Sequence, residues 1–465
     1  MAMFKRLKDF IIIGGIILFL SVLLLPQPEG LTVAAKNSIA LFILCLSLWI
    51  SNAIPLAITS LLGITLIPLL GILELDEAFA LFGNKAIFFI LGALILAAGI
   101  YQTGLGSRIA FSILKKFGQS PRKLLLGILL TSALLSCIMP EHAVAALLLP
   151  IILEVATSLE LKPLESNYGK LLFLSMAWGA IIGGITTFLG GARNLLAVGL
   201  LEKNYDISIG FFEWIKYSWP IPTLILLVTY FIIAKLVKID IDSIELARET
   251  LEAEITSRGA MSNKEKKLML VLIAVLFSWL FLSSVIDIAI TSILGAVLTF
   301  AIQVVEWRDI EEYVNWGVIL MYGGAIAVAT SLVRTGATNW LSEAVFVHLN
   351  LSPFIFLIFL AIFTMLLTEG ISNAAAVAII LPLAYSIGDI YQINPIIITL
   401  SVALPGGLAF SLPMGSPPNA IAYSSGYYRI SDVVKFGLIL MLVSWLAYML
   451  VAKFYWPLIG LKILM

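Results

Sequence analysis

Apolar runs long enough to cross a bilayer recur along this chain, and that recurrence restricts its fold more than any single motif does. A hydrocarbon core takes about 20 apolar residues per helix. Long candidates run near 10–25, 37–72, 86–101, 168–189, 217–237, 268–303, 316–333 and 432–459. The stretches 37–72 and 268–303 are each long enough for two spans, divided near Asn52–Pro55 and near Ser284–Asp287. Shorter apolar pieces at 122–137, 143–157, 353–367, 374–388, 394–413 and 420–426 are interrupted by Pro, Gly or polar residues. Pieces of that length do not span alone. They predict re-entrant hairpins and broken helices, which survive where protein or water covers the freed backbone.

Composition closes off other classes. Charged residues make up 12% of the chain, half of the roughly 25% in a soluble domain. The formal charge is zero, so bulk electrostatics makes no case for nucleic acid. Cys45 and Cys137 sit in apolar runs without metal-ligand spacing, and His142 and His348 are too few for a histidine metal site. His348 lies near a predicted loop and reads as a surface residue. Trp49, Trp178, Trp219 and Trp316 read as interfacial or packing positions. No nucleophile–base set is evident, so the chain does not read as an enzyme.

The first apolar run follows a basic decapeptide and ends in Pro26-Gln27-Pro28-Glu29 rather than a small-residue cleavage site. It reads as a retained transmembrane helix within residues 1–36. Lys and Arg concentrate near the N-terminus, at 102–123 and at 235–267 (Lys235 included), whereas 334–350 holds only Arg334. The positive-inside rule therefore places the N-terminus in the cytoplasm. Segment 238–267 is the only long charged stretch. Ile241, Ile244, Leu251 and Ile255 fall near one face of a helix there, as expected of a cytoplasmic amphipathic linker.

Three motif pairs recur in order across that linker. Gly92–Gly104 matches Gly324–Gly336, and Ser136–Pro150 matches Thr368–Pro382, both at an offset of 232. Gly190–Ala197 matches Gly415–Ala422 at 225. The chain therefore divides into a first repeat, 37–237, and a second, 268–465. The charge bias puts matching segments on opposite sides, so the repeats are inverted, as in secondary transporters that bind substrate where the repeats meet.

Each repeat carries a polar tetrad between two apolar half-helices: Met139-Pro140-Glu141-His142 and Gly370-Ile371-Ser372-Asn373. Each tetrad opens a half-helix whose free N–H groups suit an anion. Carbonyls at the preceding half-helix ends suit a hard cation such as sodium. The Gly415-Ser416-Pro417-Pro418-Asn419 segment is an unwound break, because two prolines remove donors and fix the backbone. Its partner, Gly190-Gly191-Ala192-Arg193-Asn194, puts a permanent cation at membrane depth.

The Thr368-Glu369-x-x-Ser372-Asn373 hairpin and the Gly415–Asn419 break resemble the divalent anion:sodium symporter family of dicarboxylate and sulfate transporters, within the ion transporter superfamily. The resemblance covers about the whole chain. It implies an all-α polytopic membrane protein with about eleven transmembrane helices. It also implies a homodimer with an elevator-like moving domain that couples anion transport to sodium, with no organic cofactor. Substrate contacts would fall at Glu141, His142, Arg193, Asn194, Ser372, Asn373, Ser416, Pro417 and Asn419, and one sodium site at Thr368, Asn373 and Gly415.

The first repeat departs from the family pattern. Its Ser, Asn and Thr have become Pro140, Glu141 and His142, and a proline has become Arg193. Isolated charges at membrane depth are expensive, so Glu141 and Arg193 are expected to pair, the guanidinium standing in for a sodium ion. Other readings stay open. Glu141 can serve only the helix dipole, His142 can be a packed residue, and Ser372 and Asn373 can simply cap their half-helix. A cation/proton antiporter using Glu141 and Glu369, a proton-coupled or exchange-only anion carrier, and a channel are the competing functions.

Overall fold

The computed structural model describes residues 2–51, 53–233, 238–283, 285–346 and 352–464. Asn52, Lys235, Ser284 and His348 lie outside the described residues. The chain starts with α1 (Ala2–Leu24), α2 (Val33–Ser51), α3 (Leu56–Leu69) and the short α4 (Leu75–Ala80). Next come α5 (Lys85–Gln102), α6 (Leu105–Phe117), and a hairpin of α7 (Pro121–Leu135) and α8 (Glu141–Ser158). The broken pair α9 (Asn167–Gly183) and α10 (Ala192–Tyr205) is followed by α11 (Phe211–Ser218) and α12 (Pro220–Phe231). The linker helix α13 (Glu245–Arg258) leads to α14 (Asn263–Phe281), α15 (Ile288–Ala301) and α16 (Trp307–Glu311). α17 (Trp316–Arg334), α18 (Ala337–Phe346), and a second hairpin of α19 (Pro353–Gly370) and α20 (Asn373–Ile390) follow. The second broken pair is α21 (Pro395–Ala403) and α22 (Pro417–Ser424), ahead of α23 (Ile430–Leu450).

Residues 232 apart do the same work twice. Ser120 and Ser352 cap α7 and α19, each followed by a proline at the first helical position. Pro150 and Pro382 sit inside α8 and α20. Ser60 Oγ donates to the Met321 carbonyl at 3.1 Å, and Ser292 Oγ to the Phe89 carbonyl at 3.0 Å. Thus α3 packs on α17 and α15 on α5, each element from the opposite repeat. Gly324 and Gly92 permit this approach, since a Cβ at either would strike the backbone of Ser60 or Ser292. Close crossing at small residues is how helices associate where lipid gives no hydrophobic drive.

Two lengths differ from expectation. The helices α8, α19 and α20 are 18 residues each and are long and apolar enough to cross a membrane. The sequence pieces looked shorter because Glu141, Thr368, Glu369 and Asn373 interrupt the apolar runs, yet all four are helical. The linker helix is shorter than 238–267, because Gly259, at φ +59°, ends α13. A capping box between Ser262 and Glu265 then starts α14. The buried face of α13 holds Ala247 and Leu251, with Ile244 buried just before it.

Candidate anion and cation site at the hairpin tips

The second hairpin turns at Ile371 and Ser372. Ser372 Oγ accepts from Ala375 N at 3.3 Å, so the serine caps α20 and Asn373 becomes its first residue. The first hairpin turns through Pro140, which has no side chain able to cap, and Glu141 becomes the first residue of α8. The Glu141 N–H donates instead to the Gly190 carbonyl at 2.9 Å, tying the hairpin to the α9–α10 break. The fold brings the two tips together: Asn373 Nδ2 lies 3.3 Å from Glu141 Oε1.

Arg193, in the first turn of α10, reaches the same point. Its Nη1 donates to Glu141 Oε1 at 3.0 Å and its Nη2 to Oε2 at 3.2 Å, a bidentate pair. Glu141 is 4% and Arg193 2% exposed, so each charge depends on the other for solvation. Glycines make room for the pair. A Cβ on Gly191 or Gly407 would strike the guanidinium, and one on Gly184 would meet Glu141 Oε2. Arg193 Nε is buried without a partner among the described residues.

A second, neutral network adjoins this pair. Thr368 Oγ1 donates to the Gly406 carbonyl at 3.0 Å and lies 2.6 Å from the nearer end of the Asn373 amide. The Gly415 carbonyl is also 2.6 Å from that end. With the amide oxygen toward them, hydroxyl and carbonyl oxygens converge, a donor set that suits a hard monovalent cation. With the nitrogen toward them, the amide donates to both, and its oxygen accepts from Arg193 Nη1 at 3.2 Å. Thr368, Asn373 and Gly415 therefore lie together at this point.

The other expected residues fall around this centre with different tasks. Asn194 Nδ2 donates to the Gly184 and Thr187 carbonyls at 2.9 and 2.8 Å. Asn419 Nδ2 does the same 225 positions later, to Ala409 and Leu412 at 3.0 and 3.3 Å. Both amides thus brace the breaks with their donors. Ser416 is 2% exposed, and its hydroxyl has no partner among the described residues. Pro417 is exposed, and His142 and Ser372 are half-buried.

Glu369 has a task that sequence reasoning missed. Its two oxygens accept from the backbone N–H groups of Phe410, Ser411 and Leu412 at 2.8 to 3.2 Å. The carboxylate pins the loop before the second break to the hairpin. One signal was available: an acid in the last turn of a helix opposes the dipole, so something must hold it there.

The family model "Sodium:sulfate symporter transmembrane region" matches residues 7–462. A sodium-dependent dicarboxylate transporter SdcS of Staphylococcus saprophyticus is 28% identical, over 96% of this chain and 91% of its own. The SdcS of Staphylococcus aureus strain USA300 is also 28% identical, with the same coverage. Among solved structures, Neisseria gonorrhoeae MtrF, of a class of antimetabolite efflux pumps, superposes with TM-score 0.59 at 15% identity, over 91% of this chain and 95% of that one. The Alcanivorax borkumensis YdaH transporter gives 0.57 at 14%, over 81% and 86%. These two likenesses speak for the fold alone.

Proposed function

The chain belongs to the sodium:sulfate symporter family, and from that premise we propose that it carries a small dianion, a dicarboxylate or sulfate, together with sodium bound at one retained site. A multi-pass membrane transporter of this family moves its anion rather than transforming it. The observation that carries the finer reading is the buried, bidentate Glu141–Arg193 pair meeting Asn373. Thr368 Oγ1, the Asn373 amide and the Gly406 and Gly415 carbonyls would hold the sodium, supplying oxygen ligands and no formal charge. In the first repeat the Arg193 guanidinium, held by Glu141, would stand in for the second cation, so the protein would carry its own positive charge there. Arg193 has five N–H donors, of which Glu141 engages only some, and an incoming anion competes for the fork. Half-buried His142 and Ser372, with Ser416 and Pro417 on the opposite break, flank the approach.

The same reading divides the chain into a leading helix (1–36), a first repeat (37–237), a linker (238–267) and a second repeat (268–465), with a domain that holds the hairpin tips moving against a scaffold in an elevator-like cycle. It has the N-terminus in the cytoplasm, two copies associating in the plasma (inner) membrane, and no organic cofactor. An antiporter that uses Glu369 as ion carrier is disfavoured, because both oxygens of that carboxylate are taken up by backbone N–H groups.

The test is uptake of labelled succinate and labelled sulfate into proteoliposomes, with sodium and pH gradients imposed separately. Sodium-stimulated uptake of one anion is expected. Uptake of neither, with sodium instead driving proton movement, defeats the reading and favours the antiporter.

A further inference from the structure

The Asn373 amide can be set two ways in its site, and only one of them satisfies all its neighbours without a cation. In one, Nδ2 faces the Gly415 carbonyl and Thr368 Oγ1, both at 2.6 Å, and Oδ1 accepts from Arg193 Nη1 at 3.2 Å. In the other, Oδ1 faces those oxygens and Nδ2 faces Glu141 Oε1 at 3.3 Å. The first setting is complete without a cation: two good acceptors receive the two amide hydrogens. The second leaves the amide oxygen against the Gly415 carbonyl, which is repulsive unless a cation binds both oxygens from one side.

We infer that Asn373 is the positioning residue that reports occupancy of the Thr368–Gly415 cation site to the Arg193–Glu141 pair, by turning its amide end for end. The inference rests on the sodium site proposed above. Without sodium, the amide oxygen takes one hydrogen of Arg193 Nη1 and helps hold the guanidinium in place. With sodium, that acceptor swings away and an amide N–H turns to Glu141 instead. Both changes loosen the bidentate pair from opposite ends: Arg193 loses an acceptor, and Glu141 gains a competing donor. The amide needs no backbone movement to do this, because only its terminal torsion turns. Asn373 is 6% exposed, so water cannot replace the lost bond freely.

One consequence separates this from simple charge repulsion. The Arg193 bond holds the amide in its cation-free setting, so it competes with sodium. Arg193→Lys keeps the positive charge but removes the fork. In the relay it should therefore tighten sodium binding.

Sodium binding is read as the rise in unfolding temperature of the purified full-length protein titrated with sodium chloride against potassium chloride. For Arg193→Lys the sodium midpoint is expected to fall at least threefold. Asn373→Asp offers oxygens on both faces and has nothing to turn, so adding Arg193→Lys to it should lower the midpoint no further. An unchanged midpoint in Arg193→Lys, with the wild type still responding to sodium, overturns the relay and leaves the proposed sodium site standing. A wild type that does not respond to sodium overturns both. Should Arg193→Lys not fold, succinate supplies the second measurement. It should shift the sodium midpoint of the wild type and not that of Asn373→Asp, as reciprocal linkage requires. A shift retained in Asn373→Asp overturns the relay as well.

Discussion

The guanidinium of Arg193 lies between two glycines, and that placement gives the sharpest residue-scale prediction. Gly407 has no side chain because a Cβ there would occupy the space of the guanidinium. Arginine ends usually swing aside at little cost, but this one is held by two hydrogen bonds to a buried carboxylate. Gly407→Ala must therefore break the pair or shift the backbone, at the roughly 1–3 kcal/mol typical of overpacking. Thermal unfolding should show that loss, and anion uptake should fall more than tenfold. Gly14→Ala, in a helix with open space at that position, should change neither. The pairing of Glu141 with Arg193 was legible in the sequence, because two lone charges in apolar segments need each other. The role of Glu369 was not. Its place in the last turn of α19 signals only that something holds it, and its partners are backbone N–H groups of Phe410, Ser411 and Leu412, which those residue types do not mark.

Repeat matching made most elements legible. Offsets of 232 and 225 hold for motifs, caps, internal prolines and cross-packed serines alike. Helix lengths were less readable, since hydropathy undercounts a helix whose polar end is buried against another helix, as at Asn373. The cross-packing yields a paired prediction. Gly92 in α5 and Gly324 in α17 face Ser292 and Ser60 in equivalent crossings. Gly92→Val and Gly324→Val should therefore destabilise the protein by similar amounts, a few kcal/mol each by the cost of overpacking a tight crossing. Unfolding in detergent measures this. A large loss from one and none from the other would mean the two crossings are not equivalent.

Across the whole molecule, two halves with matching motifs hold different chemistry at one point. The second half keeps Thr368, Asn373 and Gly415 as a neutral oxygen cluster. The first has Ser136, Glu141 and Gly190 at the matching positions. Glu141 there is committed to Arg193, and the buried Ser136 hydroxyl has no partner among the described residues. That idle hydroxyl is what a cation site would leave behind if an arginine displaced its ion. The Gly190 carbonyl also persists, now accepting from the Glu141 N–H. On the proposal that Arg193 stands in for an ion, replacing the charges and leaving these oxygens alone should create a second cation site. In Glu141→Asn with Arg193→Pro, the amide oxygen, Ser136 Oγ and the Gly190 carbonyl would again converge without a resident cation. Sodium activation of uptake should then become cooperative, its Hill coefficient rising from about one in the wild type toward about two, the number of equivalent sites. Both charges leave together in this variant, so no unpaired ion is stranded in the core, a loss that alone costs about 3–5 kcal/mol. A folded double variant with the wild-type sodium curve would mean that Arg193 never stood in for an ion, and that the pair serves only to join the hairpin to the break.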